Sequence, residues 1–126
     1  MKDILVLLIE DNKDDEWLAL KALEKIGLKN VIVASDGQAA LSMLYGNQPS
    51  KEGASRTPGL IILDLKLPKI DGLDVLKRIR TDQLTTDIKV CVLTSSEDPR
   101  DKNACKELGV PFFSKPLDGK VMLNLL

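Results

Sequence analysis

Four short apolar runs, residues 4–9, 31–33, 60–63 and 90–93, alternate with stretches in which apolar residues recur every three or four positions. The runs are rich in β-branched side chains, and three of them lack polar alternation. That predicts strands buried on both faces. A fifth run, residues 111–114, is shorter and opens on Pro111, which suits an edge strand. Between the runs, Trp17, Leu20, Leu23 and Ile26 fall at helix spacing, with Gly27 as a stop. Residues 36–45 carry Ala39, Ala40, Leu41, Met43 and Leu44, and residues 71–80 carry Val75, Leu76 and Ile79 behind Asp71, which reads as a helix cap. Asp98 caps a helix whose first position is Pro99 and which ends before Gly109. Its stripe of Ala104, Cys105 and Leu108 is thin, so this helix is expected to be the least firmly docked. A last helix starts near Asp118 and meets Leu126 with no stop signal. This leaves open a natural chain that continues or a final helix that is cut short. Residues 46–58, with Gly46, Pro49, Gly53 and Pro58, predict a long, mobile surface loop.

Strands alternating with helices imply a parallel sheet covered on both sides. Right-handed crossovers, with one outward step and a return, give the strand order 2-1-3-4-5. The first and last helices then share one face and the other three share the opposite face. In such a doubly wound α/β fold the site lies beyond the carboxyl ends of the strands, where the winding reverses between strands one and three.

Composition narrows the chemistry. A chain of 126 residues, 44% hydrophobic and 29% charged, fits one domain spanning residues 1–126. Eighteen basic against nineteen acidic residues argue against a nucleic-acid binder working through a broad basic field. The four aromatic residues, Trp17, Tyr45, Phe112 and Phe113, are too scattered for a base-stacking platform. There is no histidine, which removes imidazole bases, histidine-dependent triads and most zinc sites. Cys91 and Cys105 show no paired spacing, and no apolar run reaches membrane-spanning length. A soluble cytoplasmic protein is expected, its two thiols buried and reduced.

Chemistry-bearing residues converge at the predicted carboxyl ends. Strand one runs into Glu10, Asp11 and Asn12, strand three into Asp64, strand four into Thr94, and strand five into Lys115. Singly each has a plain explanation: Asp11 or Asn12 as a helix cap, Asp64 as a turn residue, Lys115 as a surface amine. Together they differ. Three carboxylates in one place repel one another unless a cation or protons neutralise them. A hard divalent ion such as Mg2+ fits an all-oxygen site with few carboxylates. An ion-bound carboxylate beside an amine and a hydroxyl is suited to a transferring phosphoryl group, whose transfer needs positioning and charge more than a histidine base.

The segments around Glu10-Asp11-Asn12, Asp64-Leu65-Lys66-Leu67-Pro68, Asp71-Gly72, Thr94-Ser95-Ser96 and Lys115-Pro116 resemble the receiver domain of two-component response regulators, in order and along the whole chain. The loop before strand three and the residues after Asp64 are similar to single-domain regulators paired with bacterial phytochrome kinases. The resemblance implies a flavodoxin-like (βα)5 sandwich in which Asp64 accepts a phosphoryl group from a phosphohistidine on a sensor histidine kinase or phosphotransfer protein. It implies Mg2+ bound by the side chains of Asp11 and Asp64, by Glu10 through water and by the backbone carbonyl of Lys66. Thr94 would meet the phosphoryl group, Lys115 would pair with it, and a cis Lys115–Pro116 bond would aim the lysine inward. Phe112 takes the place of a switch aromatic that is frequently tyrosine, and Lys66 and Ser96 take places that tune hydrolysis. The face of helix four, strand five and helix five is then expected to meet a downstream protein or a second copy, with no role for nucleic acid or membrane. The chain would be a phosphoacceptor and not a dedicated enzyme. Two alternatives remain open. An aspartate-nucleophile phosphatase would usually carry a second acid where Lys66 stands; a pseudo-receiver would bind partners without modification.

Overall fold

The computed structural model describes residues 4–46 and 57–125. Most of the segment expected to form a mobile loop lies outside the described residues. Five strands and five helices alternate: β1 (Val6–Ile9), α1 (Lys13–Lys25), β2 (Val31–Ala34), α2 (Gly37–Tyr45), β3 (Leu60–Leu63), α3 (Gly72–Thr81), β4 (Lys89–Thr94), α4 (Pro99–Glu107), β5 (Phe112–Ser114) and α5 (Gly119–Leu125). All strand pairs are parallel and the order is β2-β1-β3-β4-β5.

The apolar runs without alternation form the sheet's centre. Every residue of β1 and β3 is buried, as is β4 after its first residue, whereas β2 and β5 lie at the edges and are only partly covered. The chain leaves two cores, one on each face. Leu7, Ile9, Ile61, Leu63 and Val92 pack with Ala40, Val75, Leu76, Ile79 and Cys105, from α2, α3 and α4. Val6, Leu8, Leu60, Ile62 and Leu93 pack with Ala19, Leu23 and Met122, from α1 and α5. Pleat alternation thus sorts successive residues of one strand into opposite cores. In α4 the only buried residue is Cys105, in keeping with its thin apolar stripe. No helix among the described residues is long and apolar enough to cross a membrane.

Helix ends follow the cap chemistry. Asn12, Asp36, Asp71 and Asp98 each accept a backbone N–H with the side chain at the N-cap of α1, α2, α3 and α4. Beyond α1 and α4, Gly27 and Gly109 adopt φ of +86° and +70°, which only glycine enters without strain. Two residues of the expected apolar patterns, Trp17 and Met43, are exposed instead. Trp17 is 59% exposed and stands outside the α1 stripe, whose buried members are Ala19 and Leu23. Two residues along a helix rotate the side chain by about 200°, so Trp17 and Ala19 cannot share a face. Lys21 covers the indole instead, 5.6 Å from its centroid.

Tyr45 ties the end of α2 to the turn before β4. Its hydroxyl lies 2.6 Å from Thr85 Oγ1, and Thr85 donates its own proton to the Ile79 carbonyl at 2.7 Å. With that proton committed, Tyr45 must be the donor. Tyr45→Phe removes the donor and leaves Thr85 satisfied, so a loss of about 1 kcal/mol is expected from the urea midpoint of unfolding.

Candidate functional site

The register of the central strands brings the acids together. Glu10 N–H donates to the Ala34 carbonyl and Asp64 N–H to the Ile9 carbonyl, which sets both acids at the carboxyl edge of the sheet. Oxygens of Glu10, Asp11 and Asp64 lie within 4.8 Å of one another. Glu10 and Asp64 are 3% and 4% exposed, while Asp11 faces solvent.

Asp64 is held at both oxygens. Oδ1 accepts the Lys66 N–H at 3.0 Å and Oδ2 accepts from Lys115 Nζ at 2.9 Å. The lysine arrives from the far edge. Its N–H donates to the Thr94 carbonyl at 3.1 Å, and its peptide bond to Pro116 is cis. Its ammonium also lies 2.8 Å from Glu10 Oε1 and 2.7 Å from Asp15 Oδ2. Burial lowers the lysine's proton affinity, but the hydrogen bonds it donates to Asp15, Asp64 and Glu10 outweigh that and hold its pKa above the ordinary value. Glu10 moves up because burial outweighs the help of Lys115 and the Asn12 N–H, and the charge of Asp64 adds to the rise.

Thr94 ends β4 fully buried, and its hydroxyl accepts the Ser96 N–H at 3.2 Å. Ser96 in turn donates to Asp101 Oδ2 at 2.5 Å and accepts the Asp98 N–H at 3.3 Å, joining the strand end to the first turn of α4. Phe112 is partly covered by the core beneath α2, α3 and α4, with Lys102 of α4 5.8 Å from its ring centroid. The side chain of Lys66 is exposed, and with Leu65, Leu67, Asp71 and Asp101 it lines a cleft of about 240 Å3. Asp71 caps α3 through the Leu73 N–H, as expected. Lys69, at φ +70°, pairs with Asp36 at 3.3 Å and braces the turn after β3 against the start of α2.

Glu10, Asp11, Asp64, Lys66, Thr94 and Lys115 thus lie at or just past the carboxyl ends of β1, β3, β4 and β5, whereas Phe112 opens β5, and Lys115 is in direct contact with Glu10 and Asp64. Asp15 is not among the residues the sequence pattern singles out. Its sequence signal is faint: an acid one helical turn after Asp11, where the helix dipole alone would favour one. Four carboxylates and one ammonium leave the centre strongly negative. An all-oxygen cluster of this kind has the donor set of a divalent-cation site.

Comparison with known proteins agrees. A family model described as the response regulator receiver domain matches residues 6–126. The response regulator Rcp1 of Synechocystis is 39% identical over 107 residues, covering 84% of this chain and 71% of that protein. A probable methanogenesis regulatory protein of Methanothrix harundinacea is 38% identical over 99 residues, covering 77% of this chain and 61% of that protein. This chain thus spans about three-fifths of the length of the latter. Among solved structures, the bacteriophytochrome response regulator AtBRR superposes with a TM-score of 0.83 at 40% identity, covering 97% of this chain and 89% of that one. The Mn2+-bound form of Rcp1 gives 0.80 at 33% identity, covering 97% and 88%. The chain belongs to the receiver domains of two-component response regulators.

Proposed function

We propose that Asp64 is the phosphoacceptor of this receiver domain, modified in the cytoplasm from the phosphohistidine of a sensor histidine kinase or phosphotransfer protein. The observation that carries the reading is the meeting of Glu10, Asp11 and Asp64 oxygens within 4.8 Å, with Lys115 Nζ 2.9 Å from Asp64. Asp11 and Asp64 would hold Mg2+ by their side chains, Glu10 through water and Lys66 by its backbone carbonyl. The bound ion supplies positive charge against the phosphoryl oxygens. An oxygen of Asp64 attacks phosphorus, the P–N bond to the donor imidazole breaks, and its electron pair leaves with the imidazole. Lys115 neutralises the group that arrives, and the Lys66 N–H fixes the carboxylate's orientation. Such transfer runs on placement and charge compensation. No dedicated substrate turnover is needed: the domain supports its own phosphorylation and dephosphorylation.

The new phosphoryl group adds roughly 1.5 to 2 negative charges. Thr94 would turn from the Ser96 N–H toward it, Phe112 would fill the space behind, and α4 and β5 would repack. Carrying a switch from mostly off to mostly on takes about 5.5 kcal/mol of differential stabilisation. Burial of only Cys105 in α4 keeps the opposing cost of repacking small. The face of α4, β5 and α5 would then meet a downstream protein or a second copy.

Acetyl phosphate with Mg2+ tests the reading. Mass analysis is expected to show one phosphoryl group retained on the wild type and none on Asp64→Asn. Continuous phosphate release without a retained group would instead assign a phosphatase. An unlabelled, folded wild type would assign a binding module that is never phosphorylated.

A further inference from the structure

Lys115 has three N–H donors and no acceptor. Three carboxylates surround it: Asp15 at 2.7 Å, Glu10 at 2.8 Å and Asp64 at 2.9 Å. Two of these acids belong to the cluster with Asp11 that offers a cation site; Asp15 does not. Asp15 comes from the first turn of α1, where its backbone N–H is pinned to Asn12 Oδ1 at 3.0 Å. Its side chain is one-third exposed, and it reaches a lysine 100 residues further along the chain.

The three carboxylates are not equivalent. A divalent ion among Glu10, Asp11 and Asp64 competes with Lys115 for the same lone pairs, and phosphorylation consumes an oxygen of Asp64. Only the Asp15 contact is untouched by either event. We propose that Asp15 is a positioning residue for phosphoryl chemistry at Asp64: it anchors the Lys115 ammonium beside the site through a carboxylate outside the cation cluster. This rests on the phosphoacceptor reading above. Without Asp15 the lysine leans wholly on Glu10 and Asp64, so it both opposes the ion and loses its fixed aim at the phosphoryl group. A role limited to the helix dipole predicts something else, since Asp14 and Glu16 share the same turn and carry the same charge.

The test compares wild type, Asp15→Asn and Asp14→Asn by Mg2+ calorimetric titration, acetyl phosphate labelling rate and thermal midpoint. Asp15→Asn is expected to bind Mg2+ several-fold more weakly and to label about tenfold more slowly, the factor one charge-assisted hydrogen bond carries. Asp14→Asn should change both by less than about twofold, as expected of an exposed first-turn charge. In a Lys115→Met background the effect of Asp15→Asn on Mg2+ affinity should largely vanish, because it runs through the lysine. The proposal is overturned if Asp15→Asn behaves as Asp14→Asn, if labelling speeds up, or if the Mg2+ loss persists undiminished without the lysine. Failure of the phosphoacceptor reading is separately visible as an unlabelled wild type, and the Mg2+ comparison then still decides whether Asp15 governs Lys115.

Discussion

Gly72→Ala is expected to destabilise the protein by about 3 kcal/mol, the upper end for overpacking, and to cripple phosphorylation in the molecules that remain folded. A Cβ at this position would collide with the Cα of Leu65 and stand 2.6 Å from the carbonyl oxygen of Asp64 and 2.8 Å from that of Leu65. All three are backbone atoms, so no side-chain rotation relieves the clash. The Gly72 N–H also donates to the Leu65 carbonyl at 3.2 Å, fastening the start of α3 to the residues that present the acceptor. Relief therefore moves Asp64 itself, by something near an ångström. Displacement on that scale costs on the order of 10²-fold in a reaction that depends on placement. Gly109→Ala is the informative control. There a Cβ meets nothing within 4 Å, and the penalty comes only from φ of +70°, about 1–2 kcal/mol. Urea unfolding should rank Gly72→Ala well below Gly109→Ala. Labelling by acetyl phosphate, measured where both are folded, should fall only in the first.

That packing constraint is not legible in the motif. Asp71 declares its role by preceding an apolar helical pattern, and it does cap α3. Gly72 does not, because its necessity lies in how close α3 passes to the backbone after β3, a distance no local pattern encodes. The sheet is more transparent. Buried strands without alternation, β1, β3 and β4, stand at the centre, and the run headed by Pro111 stands at the edge. Hydrophobic character and chain order suffice for that, since both depend on neighbours a few residues away and on the handedness of the crossovers. Helix phase is less secure. Trp17 offers far more apolar surface than Ala19, yet Ala19 is the one that is buried. Small residues let the helix approach the sheet, and the ring is left to Lys21 and solvent.

The site divides in the same way. Glu10, Asp11, Asp64, Thr94 and Lys115 can be brought together from sequence because each follows an apolar run, and strand ends in a parallel sheet meet at one edge. Asp15 follows no strand. Its partner is 100 residues away, and an acid in a helix's first turn already has a sufficient explanation. Only the side-chain geometry separates it from Asp14, which occupies the same turn and is exposed.

The second large effect concerns the charge balance around that geometry. Lys115→Met keeps the aliphatic stem and removes the ammonium, leaving Glu10, Asp64 and Asp15 facing one another. Stripping one partner from a buried ion pair costs about 3–5 kcal/mol. Uptake of a proton by Glu10, whose pKa already lies above its ordinary value, places the result near the lower end. The same acids, freed of their competitor, should bind Mg2+ more tightly than in the wild type. A ligand present at about 100 times its dissociation constant stabilises by about 2.7 kcal/mol; the wild type gains as well, so Mg2+ should narrow the gap in thermal midpoint by the difference between the two gains, raising the variant more than the wild type. Alkaline pH should reproduce the defect in the unmodified protein. Lys115 has its pKa raised on folding, so its contribution is complete below the unfolded lysine's value and is lost as pH climbs from there through the folded one. In Lys115→Met that alkaline loss should be smaller. Equal stability of the two proteins without metal, or an Mg2+ response no larger in the variant than in the wild type, would mean that the lysine is not what balances these acids.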